Sequence, residues 1–370
     1  MADQFSCFVA VHGGAGDHPP EDEQAIKKLL RRACSYALQA ADSPSPALDA
    51  VQSAICIMEN DPLLNAGYGS NLTEDGRVEC DASIARWYEC SLQLPQTPRI
   101  LRRPQFGSVG AVGGVNNPIL AARAVLDASL RPSLLHRVSP LTLVSGGARS
   151  FAERNGVPVA DHASLVAPGA RELWETWSQR LRDAETTSTQ AGTINQSVSS
   201  PMQDTVGAVA LCGLESAAGV SSGGILLKLP GRVGEVSAVL LGFGNVACSV
   251  SGTGEDIVRT GLARAVCEEI SRQGLDCVDE SITTIFTEHL KDTMLSDSDT
   301  QPSAGLIVLT RDCKDDTAAA GKVRLWCAFT TLSMAVGYAT AVMAKPKATI
   351  LRRPSNIPGF LYITEISLDH

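Results

Sequence analysis

From about Thr186 to Asp204 the chain is polar and nearly devoid of apolar side chains, and at the next residue it turns into "TVGAVAL". A segment of the first composition cannot bury enough apolar surface to order itself. The second is a short run of small and β-branched residues, the pattern of a strand buried on both faces. A loose leader set directly against a core strand restricts the fold, because the strand fixes its first residue in the body while the leader can leave. Thr205 stands on the junction. Threonine is a common strand former, and Asp-Thr alone says no more than that. It is also the residue before which a cut would release the leader and leave the body folded.

Composition narrows the class. The 370 residues are enough for a substantial core, and they are read here as a single domain, 1–370. Hydrophobic residues make up 44%, and 32 glycines among Ala and Val runs favour closely packed layers joined by tight turns. A net charge of −9 argues against a general nucleic-acid binder. The pairs Arg31-Arg32, Arg102-Arg103 and Arg352-Arg353 are expected on solvated faces. Eleven cysteines are scattered without a CxxC or Cys/His cluster, and several, such as Cys56 in "AICIM" and Cys248 in "VACSV", sit in apolar runs as small hydrophobes. The expectation is a reducing compartment, no disulfide framework, no metal site and no cofactor. The N-terminal "MADQFSCFVAVHGG" carries an acid where a signal peptide has a base, and its apolar run is too short to span a bilayer. An intracellular protein of the cytoplasm or nucleus, with no membrane partner, is expected.

Along the chain, "QFSCFVAVHGGAG" reads as a buried strand ending in a glycine turn. "PSPALDAVQSAICIMEND" reads as a helix capped by Ser45, with Pro46 in its first turn and Leu48, Val51, Ile55 and Met58 on one face. "NAGYGSNLTEDGRVECDASIA" reads as turn, strand, bend and strand. "FGSVGAVGGV" is a small-residue strand, and "NPILAARAVLDAS" a helix. "PGARELWETWSQRLRDAE" is an amphipathic helix with Leu173, Trp174, Trp177 and Leu181 on one side. After Thr205 come the strands "TVGAVAL", "SAAGVSSGGI", "VSAVLLGFG" and "SAGLIVLT", a helix over "GTGEDIVRTGLARAVCEEI", and the strands "KVRLWCAFTT" and "MAVGYATAVMA". This order suits stacked antiparallel sheets covered by helices better than a regular βαβ alternation.

A threonine hydroxyl is a poor nucleophile until a base takes its proton, and a threonine at a chain start brings its own α-amine. That amine titrates near ~7.7–8.0, so a useful fraction is unprotonated at neutral pH. An oxyanion formed in such a reaction needs donors, and "SVSGTGED" offers Ser251, Gly252 and Gly254 at a helix start. "KLPGRVGE" places Arg232 after a Pro-Gly turn, where a guanidinium can meet a carboxylate. Each piece alone has a structural reading: a strand hydroxyl, a glycine-rich helix start, a surface ion pair.

Together, and in this order, "VAVHGGAG", "NAGYGSNLTEDGRVECDASI", "DTVGAVAL", "SSGGILLKLPGRVGE" and "SVSGTGED" resemble the N-terminal-nucleophile asparaginase-like hydrolases, the plant-type asparaginase or isoaspartyl peptidase family. The resemblance implies a four-layer αββα sandwich, in the α/β (α+β) class, with two mainly antiparallel sheets between helices. It implies self-cleavage between Asp204 and Thr205 into pieces 1–204 and 205–370, and a homodimer of cleaved units. By matching positions, Thr205 is the nucleophile and Ser222 its supporting hydroxyl. Ser251 and the Gly252 amide are the oxyanion donors. Arg232 is the clamp on a substrate carboxylate with Gly254 beside it, Asn65 is the asparagine near the nucleophile, and Gly13 and Gly14 form the glycine turn.

Within the family, "SNLTEDGRVECDASI", "LKLPGRVG", "GEDIVRTGLAR" and "TTLSMAVGY" are most similar to the branch that cuts proteins on the C-terminal side of aspartate. Protein substrates with a cleavable aspartate would then be the partners. The small-molecule members meet a free α-amine with an aspartate three residues after the arginine, and an endopeptidase needs no anion there. Glu235 occupies that position and matches neither. Asparaginase or β-aspartyl peptidase activity therefore stands as the alternative, and a non-catalytic binding protein of the same fold as a third reading.

Overall fold

The computed structural model describes residues 7–93, 98–132, 134–188, 205–234, 239–242, 245–290, 303–312, 321–355 and 359–368. Asp204, Glu235 and the leader from 189 to 204 lie outside them. The N-terminal half supplies strands β1 (Cys7–Gly16), β2 (Cys80–Gln93), β3 (Pro98–Val112) and β4 (Thr142–Val144), with helices α1 (Glu23–Ala40), α2 (Pro46–Glu59), α3 (Pro118–Ser129), α4 (Ser145–Arg154) and α5 (Pro168–Ser188). From Thr205 onward come β5 (Val206–Cys212), β6 (Glu215–Ser222), β7 (Val239–Gly242) and β8 (Val246–Gly252), then α6 (Gly254–Thr260), α7 (Leu262–Gln273) and α8 (Val278–Ile285). The chain ends in β9 (Ala304–Asp312), β10 (Lys322–Phe329), β11 (Ser333–Thr340), β12 (Lys347–Arg352) and β13 (Tyr362–Ser367).

Two sheets result, one of eight strands in the order β12-β11-β1-β5-β6-β2-β3-β4 and one of five in the order β13-β10-β9-β8-β7. Every pairing is antiparallel except β3 with β4. Helices α1, α2 and α3 cover one face of the larger sheet, its other face packs on the smaller sheet, and α7 covers the far side. This is the expected four-layer sandwich. The central strands β5 and β6 are buried at every residue, because both faces of the larger sheet are covered; β5 is accordingly small and apolar throughout, while β6 carries its polar residues, Glu215, Ser216, Ser221 and Ser222, at its two ends.

The period of two still decides what each residue faces. In β5, Val206, Ala208 and Ala210 join the core under the helices, whereas Val209 and Leu211 join the core between the sheets. Thr205 shares the parity of the second set. In β6, Ala218 and Val220 face the second sheet, which gives Ser222 that direction too. Gly219 clears the way for α2, since a Cβ there would lie 2.8 Å from both Ile55 Cδ1 and Val51 Cγ1.

Several expectations need correction. Ser45 makes no side-chain cap on α2; the Ala47 amide donates instead to Glu215 Oε2 at 3.2 Å, in a buried carboxylate that also pairs with Arg86. The long helix after Gly252 is two helices, because Gly261 takes φ +57° and closes α6. Strand β1 does not end at its glycines but continues to Gly16, with a register shift between His12 and Ala15. Helix α5 persists to Ser188, and Leu181 on its supposed apolar side is 39% exposed. Arg352 and Arg353 are not merely solvated: they donate to His18 O and Thr330 O respectively. No disulfide framework was expected, and the described residues hold a single pair. Cys7 and Cys212 are bonded, because the β1–β5 register sets them directly opposite one another, a juxtaposition hidden by a sequence separation of 205. Cys34, Cys56, Cys80 and Cys248 are free. Among the described residues no helix is long and apolar enough to cross a membrane.

Candidate active site

Thr205 sits at the head of β5, only 2% exposed. Its Oγ1 donates to Ser222 Oγ at 3.1 Å, and that oxygen also accepts the Gly224 amide at 2.9 Å. Adjacent antiparallel strands β5 and β6 bring the two hydroxyls together, so the pair predicted from sequence is formed. The turn after Ser222 is locked by amides. Asn65 Nδ2 donates to Gly224 O at 2.8 Å, and Asn65 O accepts the Gly223 amide at 2.9 Å. Asn65 Oδ1 accepts from Asn71 N, and Asn71 Nδ2 makes a second bond to Gly224 O. Asn65 therefore holds backbone at this turn, and Asn71 shares the Gly224 carbonyl with it.

Beneath the nucleophile lies His12, fully buried and opposite Gly207 in the β1–β5 ladder. Its Nε2 meets Ser249 Oγ at 2.9 Å, and Ser249 in turn donates to Gly219 O. This contact ties the larger sheet to β8 of the smaller one. Burial pushes the imidazole down to about 3, against an opposing pull from the Thr205 backbone, so it is uncharged at neutral pH. Gly207 admits the ring, since a Cβ at that position would lie 2.2 Å from Nε2.

Ser251 and Gly252 end β8. Ser251 Oγ accepts the Ala15 amide at 3.2 Å, which leaves the hydroxyl proton for a second acceptor. Gly252 has φ +144°, and a Cβ there would lie 2.2 Å from Ser303 O, so only glycine fits. Gly14 in the glycine turn has φ +100°, and Gly13 packs on Leu64.

The Arg232 segment leaves the sheet after β6 and is held by charged groups. Asp81, opposite Ser222 in the β2–β6 ladder, accepts the Ala111 amide at Oδ1 (2.8 Å) and the Gly234 amide at Oδ2 (2.7 Å). Glu79 Oε2 accepts the Gly231 amide at 2.7 Å, and buried Lys228 donates to Glu79 O at 2.5 Å. Arg232 itself donates from Nε and Nη2 to Glu255 at 2.7 and 2.5 Å, and this contact is the main reason the Glu255 carboxyl titrates below its usual range. The guanidinium lies flat against Gly234 and reaches Gly224, where a Cβ would come within 2.7 Å of Nη1. Gly254 packs on Gly234 and on Nη2 of the same group. Thus Thr205, Ser222, Asn65, Arg232 and Gly254 form one connected cluster through the 222–234 loop, and Ser251 joins it through β1.

Sequence reading missed His12, Glu79, Asp81, Lys228 and Glu255. Glu79 and Asp81 flank Cys80 in "GRVECDASI", and Glu255 lies in "GTGED", so the signal was present. What was lacking was the partner across space. Among the described residues no cluster of His, Cys, Asp and Glu is suited to hold a metal ion.

A four-layer sandwich whose threonine heads a buried strand beside a supporting serine is the arrangement of the N-terminal-nucleophile hydrolases. The chain matches the asparaginase family (Asparaginase_2) over residues 5–331 and belongs to it. It is 33% identical over 297 residues to a plant-type L-asparaginase of Pyrococcus abyssi, covering 77% of this chain and 87% of that protein. It is 33% identical over 306 residues to a probable isoaspartyl peptidase/L-asparaginase 2 of Arabidopsis thaliana (76% and 86% covered). With an isoaspartyl peptidase/L-asparaginase of Bos taurus it shares 34% over 265 residues (69% and 74% covered).

Proposed function

We propose that the chain is a self-activating threonine endopeptidase that cuts proteins on the C-terminal side of aspartate, similar to the threonine aspartase branch of its family. The observation that carries this reading is the residue before the nucleophile: the bond that activates the chain is itself an Asp-Thr bond, Asp204-Thr205. In the precursor, Thr205 Oγ1 attacks the Asp204 carbonyl carbon. The C–N bond breaks, the hydroxyl proton passes to the leaving nitrogen, and water hydrolyses the ester to free the Asp204 carboxylate. The Thr205 amine so liberated becomes the base for turnover. It takes the Oγ1 proton as Oγ1 attacks the main-chain carbonyl of a substrate aspartate, with Ser222 holding the hydroxyl in line. Ser251 and the Gly252 amide stabilise the oxyanion, at ~3–4 kcal/mol for a well-placed donor. Arg232 grips the aspartate side chain, the amine proton goes to the leaving nitrogen, and water resolves the acyl ester.

A second reading keeps every role and changes the substrate to L-asparagine or a β-aspartyl dipeptide; the names of the Pyrococcus, Arabidopsis and Bos relatives favour it. Incubating self-cleaved protein with free L-asparagine and with a peptide containing an internal aspartate separates the two. Peptide cutting without ammonia release supports the endopeptidase, and ammonia release without cutting overturns it. We further propose a homodimer of cleaved units, supported by the exposed apolar strip Leu134, Leu135, Val138, Leu141 and Val144 beside the β4 sheet edge. Light scattering that returned a monomer would refute it.

A further inference from the structure

We infer that Glu255 is a specificity-determining positioning residue: it holds the Arg232 guanidinium by its Nε–Nη2 edge with the Nη1 end set against Gly224, fixing where a substrate carboxylate docks. This deepens the proposed function and rests on its assignment of Arg232 to the carboxylate. Two sets of contacts seat the arginine. Glu255 takes Nε and Nη2 in a two-point contact at 2.7 and 2.5 Å. The plane is pressed on Gly234, where a Cβ would sit 2.8 Å from Cζ. The Nη1 end reaches Gly224, whose amide donates to the same Ser222 oxygen that accepts from Thr205.

Glu255 is also well placed to link recognition to chemistry. It follows Gly254 in α6, directly after the Ser251–Gly252 end of β8. One side chain thus ties the carboxylate grip to the segment that supplies the oxyanion donors. A planar two-point pair fixes orientation as well as distance, whereas an arginine held by a single contact swings through its rotamers. The Arg232 side chain is 12% exposed and that of Glu255 is 42% exposed, so solvent reaches the carboxylate edge of the pair. Such a carboxylate can play either of two parts. As a fixed brace, it helps the substrate bind. As a stand-in for the substrate, it must be displaced first. The two parts predict opposite signs. We commit to the brace, because Gly234 and Gly254 close around the guanidinium from the backbone side and favour one seated position.

The test uses the full chain after self-cleavage, with Glu255→Ala, Glu255→Gln and Arg232→Ala beside the wild type. L-Aspartate, the residue shared by both substrate readings, serves as the calorimetric ligand. Steady-state kinetics use whichever of the aspartyl peptide or L-asparagine the wild type turns over. The brace predicts that Glu255→Ala weakens L-aspartate binding and raises KM about tenfold or more, with kcat changed less than about threefold. Glu255→Gln, which keeps the shape and one acceptor oxygen but loses the charge, should fall between. Unchanged or tighter binding in Glu255→Ala overturns the brace and favours the stand-in. Equal losses in kcat and KM across both variants also overturn it, since a general loss of structure gives that pattern. Should Glu255→Ala fail to self-cleave, Glu255→Gln decides alone: weaker binding with a raised KM upholds the brace, and unchanged or tighter binding overturns it. If Arg232→Ala binds L-aspartate as the wild type does, the arginine assignment falls. If Arg232→Ala weakens binding while the Glu255 variants do not, only the brace falls.

Discussion

Thr205 and Arg232 belong to one cluster, yet different forces hold them. The nucleophile is seated by the ladder itself: β5 is flanked by β1 and β6, its residues are buried, and its hydroxyl meets another hydroxyl on the next strand. Its hydroxyl partner Ser222 and the buried His12 beneath it are both uncharged. The arginine rides a loop that leaves the sheet, and side-chain carboxylates anchor it: Glu79 and Asp81 on the loop amides, Glu255 on the guanidinium. A group that must approach a carbonyl within bonding distance is best carried by rigid backbone. A group that must recognise a charge is carried by a loop tuned by other charges. Damage to the first region should appear in kcat, and damage to the second in KM.

The largest expected effect breaks the comparison at its first member. Thr205→Ala should abolish both self-cleavage and turnover, leaving one band at 38.9 kDa on a denaturing gel. A cut chain in that variant would remove the nucleophile from Thr205. Next, Ser251→Ala in the self-cleaved enzyme should lower kcat by about 10²–10³-fold with KM nearly constant. Ser222→Ala should cost on the order of 10²-fold, because the hydroxyl it orients would lose its line of attack. Kinetics showing a KM effect alone for either serine would erase the division between the two regions.

A smaller, sharper test concerns the loop. Asp81→Asn puts an amide where two backbone N–H groups expect oxygens. One donor loses its acceptor in the core, at about 1–3 kcal/mol, and KM should rise more than kcat falls. A lowered melting temperature with unaltered KM would detach Asp81 from the arginine. The pH profile probes the nucleophile side again. The base is the Thr205 amine, active when unprotonated, so kcat/KM should decline as pH falls below ~7.7–8.0. His12 contributes nothing to that limb, since it stays neutral down to about 3.

The smallest effect is on stability. Glu59 is buried under α3, where its Oε1 accepts the Ile119 amide, and burial pushes its carboxyl up to about 7. The folded chain thus keeps a proton that the unfolded chain has shed, and stability falls as pH rises from about 4.5 to about 7. Glu59→Gln should flatten the melting curve over that window and leave KM untouched, which separates core charge from loop charge.

Much of this site was legible in the sequence. Thr205 announced itself by the change of composition at its position, and Ser222, Ser251 and Arg232 by the motifs around them. Helices α2, α3 and α5 followed from periodicity and proline placement. Less visible were the features that depend on a partner far along the chain. Ser45 looked like a cap until Glu215 reached the same amides from another strand. Asn65 was placed near the nucleophile by its motif, but its hydrogen bonds to Gly224 and Asn71 came only from the fold. Gly261 broke one helix into two because only the backbone angle shows that a glycine closes a helix. Asp204 and Glu235 lie outside the described residues, and their roles rest on the sequence alone.

The sequence by itself determined which residues have the chemistry and on what element each lies. Side-chain type and local periodicity are properties of a few neighbours in the chain. Tertiary structure alone decided which charges hold the arginine, which histidine lies under the threonine, and that Cys7 meets Cys212. Those are contacts between strands and loops far apart in the chain, and a local pattern does not say which distant segment a strand or loop will meet.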